Sequence, residues 1–90
     1  MAKVSIPTVF RQYVAGKDTL ELEGEKVKDL MEQLTNQYPQ IKPFLYSSDS
    51  KLRSFVNIYV NDEDIRYGQQ EYTEVKETDE VSIIASMAGG

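Results

Sequence analysis

Ninety residues, 40% of them hydrophobic and 28% charged, with a net charge of −5, are the makings of one globular domain. A disordered chain would carry fewer apolar residues. Neither Cys nor His occurs, which excludes disulfides, thiolate metal sites, Ser-His or Cys-His nucleophilic pairs and imidazole acid–base catalysis together.

A domain this short buries only roughly 60–65% of the surface its unfolded chain exposes, so modest stability is expected. The lack of disulfides fits the cytoplasm. Met1-Ala2-Lys3 leads into no apolar run of signal-peptide length, and no stretch approaches the ~20 apolar residues of a membrane span. Charge is uneven along the chain: residues 1–60 carry +1 and residues 61–90 carry −6. In that last third Arg66 and Lys76 stand against Asp62, Glu63, Asp64, Glu71, Glu74, Glu77, Asp79 and Glu80. Such a field repels nucleic acid and anionic lipid, so no nucleic-acid or membrane partner is expected. Two readings of it stay open: a solvated face that keeps the domain soluble, or, next to the C-terminal tail in sequence, steering of the C-terminal third toward a basic protein surface, weakened by salt.

In chain order, Lys3-Val4-Ser5-Ile6-Pro7 alternates with Val4 and Ile6 on one face, a short strand that Pro7 ends. Thr8 to Ala15 is mixed, and Gly16-Lys17-Asp18 reads as a turn. Leu20 and Leu22 alternate with Glu21 and Glu23 in a second strand, antiparallel to the first. After Gly24 the period changes. Val27, Leu30, Met31, Leu34 and Tyr38 form one apolar stripe of an amphipathic helix. Glu25 and Asp29 favour its start, Gly24 is read as its cap, and Tyr38-Pro39 stops it.

Pro43-Phe44-Leu45-Tyr46 is read as one further helical turn with Pro43 at its start, and Ser47–Ser50 as a loop. Phe55–Val60 is the strongest strand signal. Asn61–Asp64 turns it, and Ile65-Arg66-Tyr67 is expected to return as a short strand. The polar stretch from Tyr67 to Asp79 is irregular, and Val81–Ser86 is a last strand. With Val56, Ile58 and Val60 facing the helix beside Val81 and Ile83, the residues Phe55, Tyr59 and Ile84 fall on the open face and form a candidate docking patch.

The order strand, strand, helix, strand, short strand, strand is that of the β-grasp fold of ubiquitin: an α+β domain with a mixed sheet and one main helix on one face. The expectation is a single domain spanning residues 1–90, with a flexible tail at 87–90. Ala88-Gly89-Gly90 lacks bulk at its end. Two residues without Cβ make a thin strand that can enter a narrow channel, and the Gly90 carboxylate is the one group with a plausible covalent future. A carboxylate is a poor acyl donor until its charge is masked.

These features, with Phe55-Val56-Asn57-Ile58-Tyr59-Val60-Asn61-Asp62-Glu63-Asp64 and Thr78-Asp79-Glu80-Val81, resemble the ubiquitin-like sulfur-carrier family along essentially the whole chain. That family includes the small subunit of molybdopterin synthase and the thiamine sulfur carrier. Val4-Ser5-Ile6-Pro7-Thr8, the Ser47–Ser54 segment and the Val56–Asp64 run most resemble its cysteine-biosynthesis branch. The resemblance implies a sulfur-donating co-substrate rather than an enzyme, with no bound cofactor and no metal. Gly90 would be adenylated by an E1-like activating enzyme using ATP and converted to a thiocarboxylate. Its sulfur would pass to an activated serine on a PLP-dependent sulfhydrylase, and a metalloprotease would release the cysteine. The alternatives are the molybdopterin synthase small subunit and a ubiquitin-like modifier conjugated to lysines through Gly90. Two departures stand out. Many relatives have Gly-Asp-Glu where this chain has Thr78-Asp79-Glu80, so that turn needs another backbone route. Many also have prolines where this chain has Ala85-Ser86-Met87, so its tail should be less stiff.

Overall fold

Alternation sets the first two strands, β1 (Ala2–Ser5) and β2 (Thr19–Leu22), which pair antiparallel with Ala2 opposite Leu22 and Val4 opposite Leu20. Those four side chains are buried, while Lys3 and Glu21 between them are exposed. The computed structural model describes residues 1–86. The expected flexible tail, with Ala88, Gly89 and Gly90, lies outside the described residues. The mixed stretch between the strands is a 3-10 helix, Thr8–Val14. It is helical because Phe10 and Val14, four residues apart, both reach the core. Ala15 and Gly16 end it with φ of 59° and 75°, and the Ile6 amide closes the loop on the Asp18 carbonyl at 2.8 Å.

Helix α1 (Val27–Gln37) buries Val27, Leu30, Met31 and Leu34, with Tyr38 half-buried just beyond. Its N-cap is Lys26, not Gly24. The Asp29 carboxylate accepts from the Glu25 and Lys26 amides, each at 3.2 Å, and so satisfies donors that the helix start leaves without partners. Gly24 serves a different purpose: a Cβ there would sit 2.5 Å from Asp29 Cβ and 3.2 Å from the Leu30 amide nitrogen. Pro39 ends the helix as expected, and a 3-10 turn (Pro39–Ile41) leads into α2 (Lys42–Leu45), burying Ile41 and Leu45.

Strand β3 (Val56–Val60) buries Val56, Ile58 and Val60. Asn61 and Asp62 follow with φ of 50° and 71°, the two-residue left-handed loop whose twist matches a hairpin. The return strand β4 is only Glu63–Asp64, and Ile65–Tyr67 is a 3-10 turn rather than the expected strand. The Asp64 carboxylate accepts from the Arg66 amide at 2.9 Å, turning the chain so that Ile65 enters the core instead of running along the sheet. Within the polar stretch that follows, Val75 is buried and its amide bonds the Glu25 carbonyl at 2.8 Å.

The turn into β5 (Glu80–Ala85) solves the missing glycine with a side chain. The Asp79 amide bonds the Lys76 carbonyl, and the Asp79 carboxylate accepts from the Lys76 amide at 2.8 Å and from Asn61 Nδ2 at 2.8 Å. No residue from Lys76 to Asp79 needs a positive φ. The five strands lie in the order β2-β1-β5-β3-β4, with β1 and β5 parallel and the other pairs antiparallel. Every buried residue of the described core is apolar.

Candidate functional site

The C-terminal tail continues from β5, so the geometry of that strand decides where Gly89 and Gly90 are presented. β5 is held on both sides, by β1 with Val4 beside Val81 and by β3 with Ile58 beside Ile83. The last pair is Val56 with Ala85, and one more bond follows, from the Ser86 amide to the Phe55 carbonyl at 2.7 Å. β5 is thus the central strand, paired on both sides at Val81 and Ser82 and with β3 alone from Ile83 to Ala85.

The proposed docking residues are distributed around that strand. Ile84 is 44% exposed, and its neighbour Ile83 is buried on the other face. Tyr59 lies opposite Ser82, half-buried, and belongs to the same face as Ile84. Phe55 precedes β3, is half-buried, and packs against the core cluster. Ala88, Gly89 and Gly90 lie outside the described residues.

Five of the eight acidic residues of the last third, Asp62, Glu63, Glu77, Asp79 and Glu80, lie at the start of β5, whereas Glu71 lines a cavity with Val56 and Arg66. Glu80 begins β5 and Ala85 ends it, and six residues of strand put the two ends about 17 Å apart. Asp62 and Glu63 follow β3 at the Glu80 end, where Asn61 bonds both Asp79 and Glu80. Glu77 is there too, 3.6 Å from the Met1 amino group. Residues adjacent in sequence to a tail are not adjacent in space when a strand separates them. The hydrogen bonds from the Lys76 amide and Asn61 hold the Asp79 carboxyl below the usual carboxylate range.

Among the described residues, no group of three or more His, Cys, Asp or Glu is arranged to hold a metal ion. No helix among them is long and apolar enough to cross a membrane.

Residues 4–90 match the model of the ThiS family. The chain belongs to the ThiS family. This is a family of ubiquitin-like sulfur carriers, and the β-grasp fold is shared with its solved members. The sulfur carrier protein CysO of Mycobacterium tuberculosis is 38% identical over 89 residues, covering 97% of this chain and 96% of the relative. A chain of the Amycolatopsis orientalis BexX/CysO complex superposes with a TM-score of 0.89 at 36% identity, over 100% of both chains. The small archaeal modifier protein 1 of Methanosarcina acetivorans superposes with a TM-score of 0.84 at 33% identity, covering 99% of this chain and 95% of the other. The ThiS-family match includes the residues beyond Ser86.

Proposed function

We propose that this ThiS-family chain is a single ubiquitin-like domain, residues 1–90, that carries sulfur on its tail and acts as a co-substrate of partner enzymes. The single observation that carries the reading is similarity to CysO along nearly the whole of both chains. In this reading Gly90 is the reacting residue. Its carboxylate attacks the α-phosphorus of ATP on an E1-like enzyme, releasing pyrophosphate. Hydrosulfide, as the sulfur source, then attacks the acyl carbon, AMP leaves and the S–H proton is lost, giving a thiocarboxylate. Gly89 and Ala88 keep the tail thin enough for a narrow channel, while Ile84 and Phe55, at the end of β5, and Tyr59, farther along the sheet, offer a docking face.

The carrier contributes no acid, base or metal to the next step, so the acceptor supplies them. We place the chain in the cytoplasm, feeding a PLP-dependent sulfhydrylase that holds an activated serine. The thiocarboxylate sulfur displaces the serine's leaving group, and a metalloprotease frees the resulting cysteine from the carrier. The test is to mix chemically prepared thiocarboxylate protein with this acceptor and follow the terminal mass and free cysteine. Sulfur passing only to a molybdopterin precursor or a thiazole-forming enzyme would overturn the cysteine assignment and leave the carrier intact.

A second reading, conjugation to lysines of target proteins, is favoured by the structural similarity to small archaeal modifier protein 1. It predicts a ladder of heavier species carrying this chain, where the carrier reading predicts a single free one.

A further inference from the structure

All three arginines of the chain, Arg11, Arg53 and Arg66, gather at the end of the sheet where β5 finishes. Parallel pairing of β1 with β5 brings the 3-10 helix Thr8–Val14 to that end, and Arg11 Nε bonds the Ile6 carbonyl at 3.0 Å. Arg53 lies two residues before Phe55, the partner of Ser86, and its Nε bonds the Pro43 carbonyl at 2.8 Å. Arg66 Nη2 bonds the carbonyls of Ser54 and Val56 at 3.2 and 3.0 Å, on the stretch of β3 that the short β4 leaves uncovered. Each guanidinium is thus fixed on a backbone oxygen around the root of the tail. Among the described residues none has a carboxylate within 4.0 Å, the one such ion pair being Met1 with Glu77 at the opposite end.

An apolar plate adjoins this collar. Tyr13 stacks on Phe44 with ring centroids 4.5 Å apart, and Phe44 and Val9 are 37% and 47% exposed. Lys17, beside Asp18, lies in the loop that follows the same 3-10 helix. The four residues from Met87 to Gly90 span at most about 14 Å when fully extended. An enzyme that holds Gly90 in a channel must therefore bring its own surface against this end of the domain.

We propose that the arginine collar is a docking surface for the enzyme that activates Gly90, and that the rim of that enzyme's channel is acidic. This rests on the proposed function and deepens it. Arg11 and Arg53, held at Nε, keep their terminal N–H groups for a carboxylate in the planar geometry that favours paired hydrogen bonds, while Arg66, held at Nη2, contributes its charge and its remaining N–H groups. A partner with carboxylates around the channel meets the positive end of the carrier first, while the acidic end around Glu80 is repelled. That orients the tail toward the channel and speeds association. The sign is opposite to the one that residue order along the chain implies.

The experiment uses the full chain and the ATP-dependent activating enzyme purified from the same cells, with ATP–pyrophosphate exchange as the readout. Arg11→Gln with Arg53→Gln should raise KM for the carrier about tenfold with kcat nearly unchanged, because rim charges act mainly on encounter. Asp62→Asn with Glu63→Gln, at the far end, should leave KM within about twofold, or lower it by removing repulsion. Melting temperature checks that the arginine variants fold. Independently of any variant, KM of the wild-type chain should rise with salt. A wild-type KM indifferent to salt, or folded arginine variants with wild-type KM, overturns the collar while exchange by the wild-type chain keeps the carrier reading. A wild-type chain that supports no exchange at all overturns both.

Discussion

The Ser86 amide bonds the Phe55 carbonyl at 2.7 Å, one residue beyond the Ala85–Val56 pair that ends the ladder. The described backbone hydrogen bonds of this strand therefore run to Ser86, four residues before Gly90 in sequence. The described core runs from Ala2 to Ile83.

Stability and function should therefore separate at the tail. Deleting Gly90 should abolish adenylation while the melting temperature stays nearly unchanged, because the acyl carbon must be terminal and chain termini generally contribute little to a packed core. Gly89→Val should also block adenylation, since a branched Cβ clashes in a narrow channel. Exchange assays beside thermal unfolding check both. A deletion that unfolds the domain contradicts the prediction.

Two neighbours in β5 should behave oppositely. Ile83 is 1% exposed, and Ile83→Ala should cost about 2–5 kcal/mol through lost burial and a residual cavity. Ile84 is 44% exposed, and Ile84→Ala should change stability by no more than about 0.5 kcal/mol while weakening binding to the activating enzyme. Denaturant unfolding and a binding titration on the same two variants distinguish the faces.

Gly24→Ala should destabilise by about 1–3 kcal/mol, the usual range for forcing a methyl into filled space. The added Cβ would meet Asp29 Cβ at 2.5 Å and press on the Leu30 backbone, disturbing the carboxylate that closes the start of α1. A neutral substitution would show that the β2–α1 connection moves freely.

The hydrogen bonds that lower the Asp79 pKa link the turn to pH. Because the folded value lies below the ordinary 3.8, the contribution of this carboxylate is complete above that value. It is lost as pH falls through the folded pKa. Asp79→Ala should lower the denaturant midpoint at neutral pH and flatten its decline on acidification below about pH 4. Midpoints measured from pH 7 to pH 2 for both proteins test the sign.

Periodicity made most of the fold legible. The α1 stripe and the alternation of β3 and β5 are local signals that tertiary packing reinforces. What escaped was set by single side chains reaching across the structure. Phe10 and Val14 make Thr8–Val14 helical, although only two of its residues are buried. Ile65 turns inward where a longer β4 was expected, and Val75 anchors a stretch that looks wholly polar. The Asn61–Asp79 contact, 18 residues apart, replaces a glycine turn. At the site, the diglycine is legible in the sequence but the placement of charge at the two ends of β5 is not. Parallel pairing of β1 with β5 puts Arg11 toward the Ala85 end of β5, and the length of the strand puts Glu80 at the other end.

The central claim is that Gly90 receives sulfur as a thiocarboxylate. The most direct measurement is the intact and C-terminal peptide mass of the full chain after incubation with its activating enzyme, ATP and a sulfur source. The account predicts a mass gain equal to exchanging one oxygen for sulfur, confined to Gly90, dependent on ATP, and absent when Gly90 is deleted. A chain that keeps its mass while supporting pyrophosphate exchange, or that gains mass only as lysine adducts, would contradict it.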